Sequence, residues 1–239
     1  MKLVLDTHTH TIASGHAYNT INEMVKRGAD MGLELMAITD HAPKMPGSCT
    51  HMNFLNFRAL RREKYGVKLL FGAELNILDK EGKLDLSGEA LDAIDIGIAS
   101  MHTPCYQSGT AEENLNAYIN AMKQSHVNII GHPDDGRFPV DMEKLVIAAK
   151  DYNVLLELNN SSLNPSGFRK DTEQNDIEML EYCKKYNQCI VIGSDAHVEE
   201  DVANFDRALK VIEKTNFPEE LIVNTSVDKL LEYVPYAKF

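Results

Sequence analysis

The chain has no run of Lys or Arg long enough to follow a phosphate backbone. Its 24 basic residues face 36 acidic ones, for a formal charge of −12. An extended nucleic-acid interface is therefore not expected, although a local positive site remains open. No segment reaches the ~18 uninterrupted apolar residues that a membrane helix requires. After Met1 only Lys2 and the apolar run Leu3-Val4-Leu5 precede Asp6, so no signal peptide is expected. The four cysteines, Cys49, Cys105, Cys183 and Cys189, form no CxxC pair. Reduced thiols in a cytoplasmic protein are the expectation. No Pro/Gly linker, low-complexity stretch or repeat divides the 239 residues. A single domain over 1–239 is expected, a length common among barrels.

What the sequence does hold is a series of short apolar runs. They are KLVL at 2–5, LMAIT at 35–39, VKLLFG at 67–72, IDIGIAS at 94–100, VNIIG at 127–131, VLLEL at 154–158 and CIVIG at 189–193. Each is nearly continuously apolar, as parallel strands covered on both faces are. Helix-like segments lie between them at about 19–32, 54–65, 111–124, 140–151, 173–186 and 201–215, with a short one at about 226–233 after Thr225 or Ser226. This alternation predicts an α/β protein with right-handed crossovers. Periodicity alone fits an open doubly wound sheet or a closed barrel.

The histidines favour the barrel. The first run leads into His8, His10 and His16, and the second into Asp40-His41. Glu74 follows the third run, His102 the fourth, His132 the fifth, and Asp195 and His197 the seventh. Six of seven strands thus deliver a metal-competent side chain just past their carboxyl ends. In a barrel such positions converge on one mouth, where parallel-barrel active sites lie. His8 and His10, one residue apart, point the same way, and Asp195 and His197 repeat that spacing. Seven imidazoles and two carboxylates are too many for one zinc, which takes about three protein ligands in catalytic sites. They would serve about three ions, and nitrogen-rich donors favour zinc or another transition ion (Mn, Fe or Co) over magnesium or calcium. Of the other histidines, His126 reads as a surface or capping residue, while the loop carrying His51 could overhang the mouth. Cys105, near His102, is left out of the ligand set.

The strings DTHTH, TDH, GAE, SMH, GHPD and GSDAH, in this order from residue 6 to 197, resemble the PHP superfamily, named for polymerase and histidinol phosphatase. HTHTIASGHAY, DHAPKMPG and SMHTP are similar to its stand-alone YcdX-type phosphatases. The resemblance implies a distorted (βα)7 TIM-like barrel with a trinuclear, usually zinc, site at the C-terminal mouth. It implies one ion on His8, His10, Glu74 and Asp195, a second on Glu74, His102 and His132, and a third on His16, His41 and His197. Glu74 would bridge the first two. Some members carry Asp where this chain has His16, so the all-histidine third site is the expectation here.

Three divalent ions carry about +6, and two carboxylates return about −2. That excess suits a small phosphorylated substrate, a phosphate monoester, better than a neutral amide. The expected reaction is in-line displacement at phosphorus by a metal-bridging hydroxide. Arg137, Arg169 and Lys170, in loops after the fifth and sixth strands, are candidates to clamp the substrate phosphate, against the alternative of solvated loop cations. Asp6 and Asp40 are candidates to orient ligands, and Asn159 and Asn160 to bond substrate or shape a turn. The competing readings are a PHP-type phosphodiesterase or nuclease, an amidohydrolase-like hydrolase, and a non-catalytic metal-binding domain. Homo-oligomerisation is left open.

Overall fold

A computed structural model describes residues 1–239. In chain order the elements are β1 (Leu5–Asp6), α1 (Ile21–Asp30), β2 (Leu35–Ile38), α2 (His51–Leu55), β3 (Glu63–Lys64), β4 (Val67–Phe71) and β5 (Ala73–Asn76). There follow α3 (Glu89–Ala93), β6 (Gly97–Ser100), α4 (Ala111–Met122), β7 (Ile129–Ile130), α5 (Met142–Asp151), β8 (Leu155–Asn159), α6 (Thr172–Tyr186), β9 (Ile190–Gly193), α7 (Asp206–Thr215) and α8 (Val227–Leu231). Two helices open with complete capping boxes, Thr20 with Glu23 and Thr110 with Glu113. Each cap contributes about 1 kcal/mol.

The strands form two parallel arcs, β1-β2-β4 and β5-β6-β7-β8-β9, with β3 antiparallel on the edge of β4. One continuous stretch joins the arcs. The third expected strand, 67–72, ends at Gly72, where the chain bends into a further strand, so that β4 pairs with β2 and β5 pairs with β6. A Cβ at Gly72 would lie 2.2 Å from the Ile96 carbonyl oxygen, which is why the bend needs glycine. The ring closes between first and last strands. Asp195 N donates to His8 O at 2.9 Å and His10 N to Ala196 O at 2.9 Å, with a parallel bridge between Thr9 and Ala196. The result is a seven-position parallel barrel, in sequence order, with helices outside.

Alternation along each strand separates two cores. Leu5, Leu35, Leu70, Ile98, Leu155 and Val191 pack together inside the ring with Val223, Leu230 and Val234 of the C-terminal segment. Their outward neighbours Met36, Ile38, Leu69, Leu156 and Ile192 join the larger core under the helices. The C-terminal segment also seals the seam. The buried Asn224 side chain accepts from Ile192 N (2.7 Å) and donates to Leu5 O (3.0 Å) and Ile192 O (2.8 Å), tying β1 to β9.

The helix expected over 54–65 does not form as one unit. α2 ends at Leu55, a 3-10 turn covers Asn56–Ala59, and β3 follows. Tyr65 and Gly66 both take positive φ, 55° and 78°, which is the two-residue turn that matches the twist of a hairpin. The pairing of Glu63 with Lys68 thus replaces a last helical turn.

Candidate metal centre

The strand alternation that fills the barrel bottom with aliphatics places polar groups at its top. Beyond Ile98 on β6 come Ser100 and His102; beyond Leu155 on β8 come Glu157 and Asn159; beyond Val191 on β9 come Gly193 and Asp195. Residues two apart share a face, so these donors point along the barrel axis.

All nine candidate donors meet there. Seven imidazoles form a closed circuit, His16–His197–His10–His8–His132–His102–His41 and back to His16, with successive ring centres 4.3 to 6.2 Å apart. Glu74 lies within it. Its Oε1 is 2.9 Å from His132 Nε2 and 3.1 Å from His102 Nε2. Its Oε2 is 2.7 Å from His41 Nδ1 and 3.5 Å from Nε2 of both His8 and His10. Asp195 Oδ1 faces His10 Nε2 at 3.3 Å and His8 Nε2 at 3.6 Å. His16 Nε2 and His197 Nε2 are 3.1 Å apart at the rim.

Partners behind the rings fix which nitrogens face inward. His8 Nδ1 lies 2.7 Å from the buried Glu157 carboxylate, an acceptor only, so Nδ1 carries the proton. Ser14 Oγ donates to Asp40 Oδ1 (2.7 Å) and is left to accept from His10 Nδ1 (3.0 Å). Asp85 takes the amide hydrogens of Asn76 (2.7 Å), which turns Asn76 Oδ1 toward His102 Nδ1 (2.8 Å). The carbonyl of Asp195 accepts from His197 Nδ1 (3.0 Å). In four rings, then, Nε2 is the lone-pair nitrogen and points at carboxylate or another imidazole.

Lone pairs facing carboxylates repel unless a cation stands between them. Protonation does not supply that cation throughout. Burial, then His197 and His41, hold His10 well below the ordinary imidazole range. Burial likewise lowers His102, against the pull of Glu74. His8 is the exception: burial opposes its charge, but Glu157, Asp195 and Glu74 together raise it well above that range. Burial also opposes ionisation of Glu74 and Asp195. His102, His41 and His8 outweigh it at Glu74, and His8 and Arg169 at Asp195, so both stay well below the carboxylate range. His8 Nε2, His10 Nε2, His41 Nδ1 and Glu74 Oε2 are all buried without a hydrogen-bond partner. Unpaired inward nitrogens around an ionised carboxylate fit divalent cations. Three sets have ligand atoms close enough for one ion each: His8/His10/Glu74, His41/Glu74/His102 and His10/His41/His197. The 3.1 Å between His16 and His197 nitrogens also matches two ligands of one tetrahedral zinc, about 3.3 Å apart at ordinary Zn–N lengths.

The backbone at the centre is held in costly conformations. His132 and Asp195 have φ of 31° and 54°, each costing about 1–2 kcal/mol for a side chain with Cβ. Tertiary bonds keep them there: His132 N donates to Glu157 Oε2 at 2.9 Å, and Asp195 N to His8 O. Gly193 makes room for this arrangement, because a Cβ there would sit 1.9 Å from Glu157 Oε1 and 3.0 Å from His8 Cβ.

The remaining candidates separate. Arg169, almost buried, donates from both terminal nitrogens to Asp195 Oδ2 at 3.1 Å. Arg137 pairs with Asp135 through Nε and Nη2, and both arginines line a cavity of about 610 Å³ over the centre. Lys170 is exposed and absent from that lining. Asp6 reaches no imidazole ring; it accepts from the backbone of His8, Ser194 and Ala203 and so braces the two ligand-bearing strands. Asp40 acts on His10 through Ser14 and also holds Thr11 N at 2.7 Å. Asn159 bonds Glu157 and Asp195, and Asn160 caps the start of α7. His51 opens α2, exposed and outside the cavity lining. His126 stacks on Tyr236.

Sequence reasoning passed over Glu157, Asn76, Ser14 and Asp85. Glu157 had a signal, as the one charged residue in VLLEL. The other three had none, since their roles rest on partners brought in from elsewhere in the fold.

The PHP domain model matches residues 6–216, and the chain belongs to that family. It is 47% identical over 239 residues to a protein named a probable phosphatase from Thermoanaerobacter sp. (strain X514), covering 100% of this chain and 97% of that one. It is 44% identical over 234 residues to another so named from Clostridium novyi (strain NT), covering 98% and 95%. Among solved structures it resembles the histidinol phosphate phosphatase of Lactococcus lactis, crystallised with zinc, L-histidinol and phosphate. There the TM-score is 0.59 at 20% identity, over 90% of this chain and 94% of that one. That likeness shows a shared fold.

Proposed function

We propose that this PHP-family, metal-dependent phosphatase hydrolyses small phosphate monoesters at a site for three divalent ions, with zinc the metal its donors favour. The observation that carries the reading is Glu74, an ionised buried carboxylate with five imidazole nitrogens around its two oxygens. On this reading His8, His10, Glu74 and Asp195 hold one ion, Glu74, His102 and His132 a second, and His16, His41 and His197 a third. His41 Nδ1 faces Glu74 in this structure, so it stands between the second and third groups. Bound ions would supply Lewis acidity toward the phosphoryl oxygens and a water deprotonated at neutral pH as nucleophile.

The chain's own residues do the rest. Glu157, Asn76 and Ser14 fix the rings with Nε2 inward. Arg169, held by Asp195 and Asn159, presents a guanidinium at the cavity wall, suited to a phosphate oxygen. The zinc, L-histidinol and phosphate in the Lactococcus lactis structure support a small phosphorylated substrate.

The test is elemental analysis for metal per chain, with phosphate release from p-nitrophenyl phosphate and from bis(p-nitrophenyl) phosphate assayed on the same preparation. About three ions and preference for the monoester are the expected result. One ion per chain would overturn the trinuclear site, and preference for the diester would move the reading to a phosphodiesterase.

A further inference from the structure

The cavity over the centre is larger than a phosphate needs. Its volume of about 610 Å³ lies in the range of pockets for organic ligands, so it has room for a leaving group beside the phosphate. Its lining combines donors of the centre, His16, His41, His102, Asp195 and His197, with the apolar residues Met45, Pro104 and Phe168. Phe168 is 71% exposed and, unlike the chain's other exposed Phe and Tyr rings, lies in the lining of this cavity.

The backbone that carries the ring is held in place. Gly167 N donates to Asn164 O (2.8 Å) and Ser166 N to Asn164 Oδ1 (3.1 Å), which forms a tight turn before it. Arg169 after it is anchored on Asp195, and Lys170 O accepts from Gly136 N at 2.8 Å. The guanidinium carbons of Arg137 and Arg169 lie 4.8 and 5.6 Å from the Phe168 ring centre. Guanidinium planes and phenyl rings both stack on flat π-systems, whereas a saturated ring offers them only C–H contacts.

We propose that Phe168, with the guanidinium groups of Arg137 and Arg169 beside it, is a platform for the leaving group, and that this chain prefers phosphate monoesters whose alcohol carries a planar aromatic or heteroaromatic ring. The inference rests on the monoesterase reading above. Phe168 acts on selection between substrates and takes no part in the displacement itself.

The test compares benzyl phosphate with cyclohexylmethyl phosphate on the metal-reconstituted protein. The two share a primary alkoxide leaving group and nearly the same bulk, and differ in planarity. The expected kcat/KM ratio favours benzyl phosphate about three- to tenfold, the usual scale of an aromatic pair, and arises in KM. Phe168→Leu brings the ratio close to one, and Phe168→Tyr restores it. A ratio near one in the unsubstituted protein, or one unchanged by Phe168→Leu, overturns the platform. Turnover of p-nitrophenyl phosphate without that discrimination leaves the monoesterase standing and rejects only the platform. No release from any of the three monoesters overturns both.

Discussion

Glu157 Oε1 lies 2.7 Å from Nδ1 of His8, across 149 positions of sequence, with both side chains fully buried. The same carboxylate accepts from His132 N at 2.9 Å and from Asn159 Nδ2 at 3.0 Å. One residue on β8 therefore fixes a ring on the first strand and the backbone of a ligand on the fifth. Burial works against its charge, but His8 outweighs that and lowers its pKa.

Glu157→Gln should weaken metal binding about 10- to 100-fold, the usual effect of losing a carboxylate behind a ligating histidine. An amide nitrogen would also oppose one of the three donors that Glu157 now satisfies. Metal retained after dialysis against a graded chelator series reads this out. Gly193→Ala, which drives a Cβ into Glu157 Oε1, should lower metal retention too and cost about 1–3 kcal/mol of stability.

Removal of the central carboxylate should differ in kind from removal of a rim ligand. Glu74→Gln is expected to lower metal content by more than one ion per chain, because Glu74 faces imidazoles of more than one group. His16→Ala should lower it by at most one, since His16 is exposed and meets the cluster through His197 and His41. Elemental analysis of the two variants side by side decides the matter; equal losses would contradict a bridging Glu74.

Arg169→Lys keeps the charge and discards the fork. Both terminal nitrogens now reach Asp195 Oδ2, and a lysine offers one compact donor in their place. kcat/KM should fall about 10- to 100-fold, the equivalent of one or two charge-assisted hydrogen bonds, mostly through KM. An unchanged KM would show that this guanidinium does not bind substrate.

Asp176 on α6 is fully buried, and neither carboxylate oxygen has a partner. Burial, then the nearby Asp134 and Glu157, raise its pKa well above the ordinary carboxylate value. The folded protein thus holds this proton more tightly than the unfolded chain does, and stability is lost as pH rises from the unfolded carboxylate range through the folded value. Asp176→Asn should stabilise the protein by about 1–3 kcal/mol at pH 8 and by less at pH 5. Urea titrations of both proteins at the two pH values test the sign; a greater gain at pH 5 would refute it.

The sequence by itself determined the layered α/β order and the pool of nine donors, because strand periodicity and ligand chemistry are carried by residue type and local spacing. It also located those donors at strand ends, from which a single mouth follows once the ring closes. It did not show the bend at Gly72 into a further strand from Ala73, which depends on how close Ile96 O approaches, or the hairpin at Tyr65–Gly66 in place of a helical turn. Nor did it separate Arg169 from Lys170. These neighbours look alike in sequence, yet one turns inward to Asp195 and the other out to solvent. The direction in which His8 and His102 present their lone pairs was decided by tertiary structure alone. That direction is set by acceptors such as Glu157 for His8 and Asn76, oriented by Asp85, for His102, and hydrogen-bond partners far apart along the chain leave no local pattern to read.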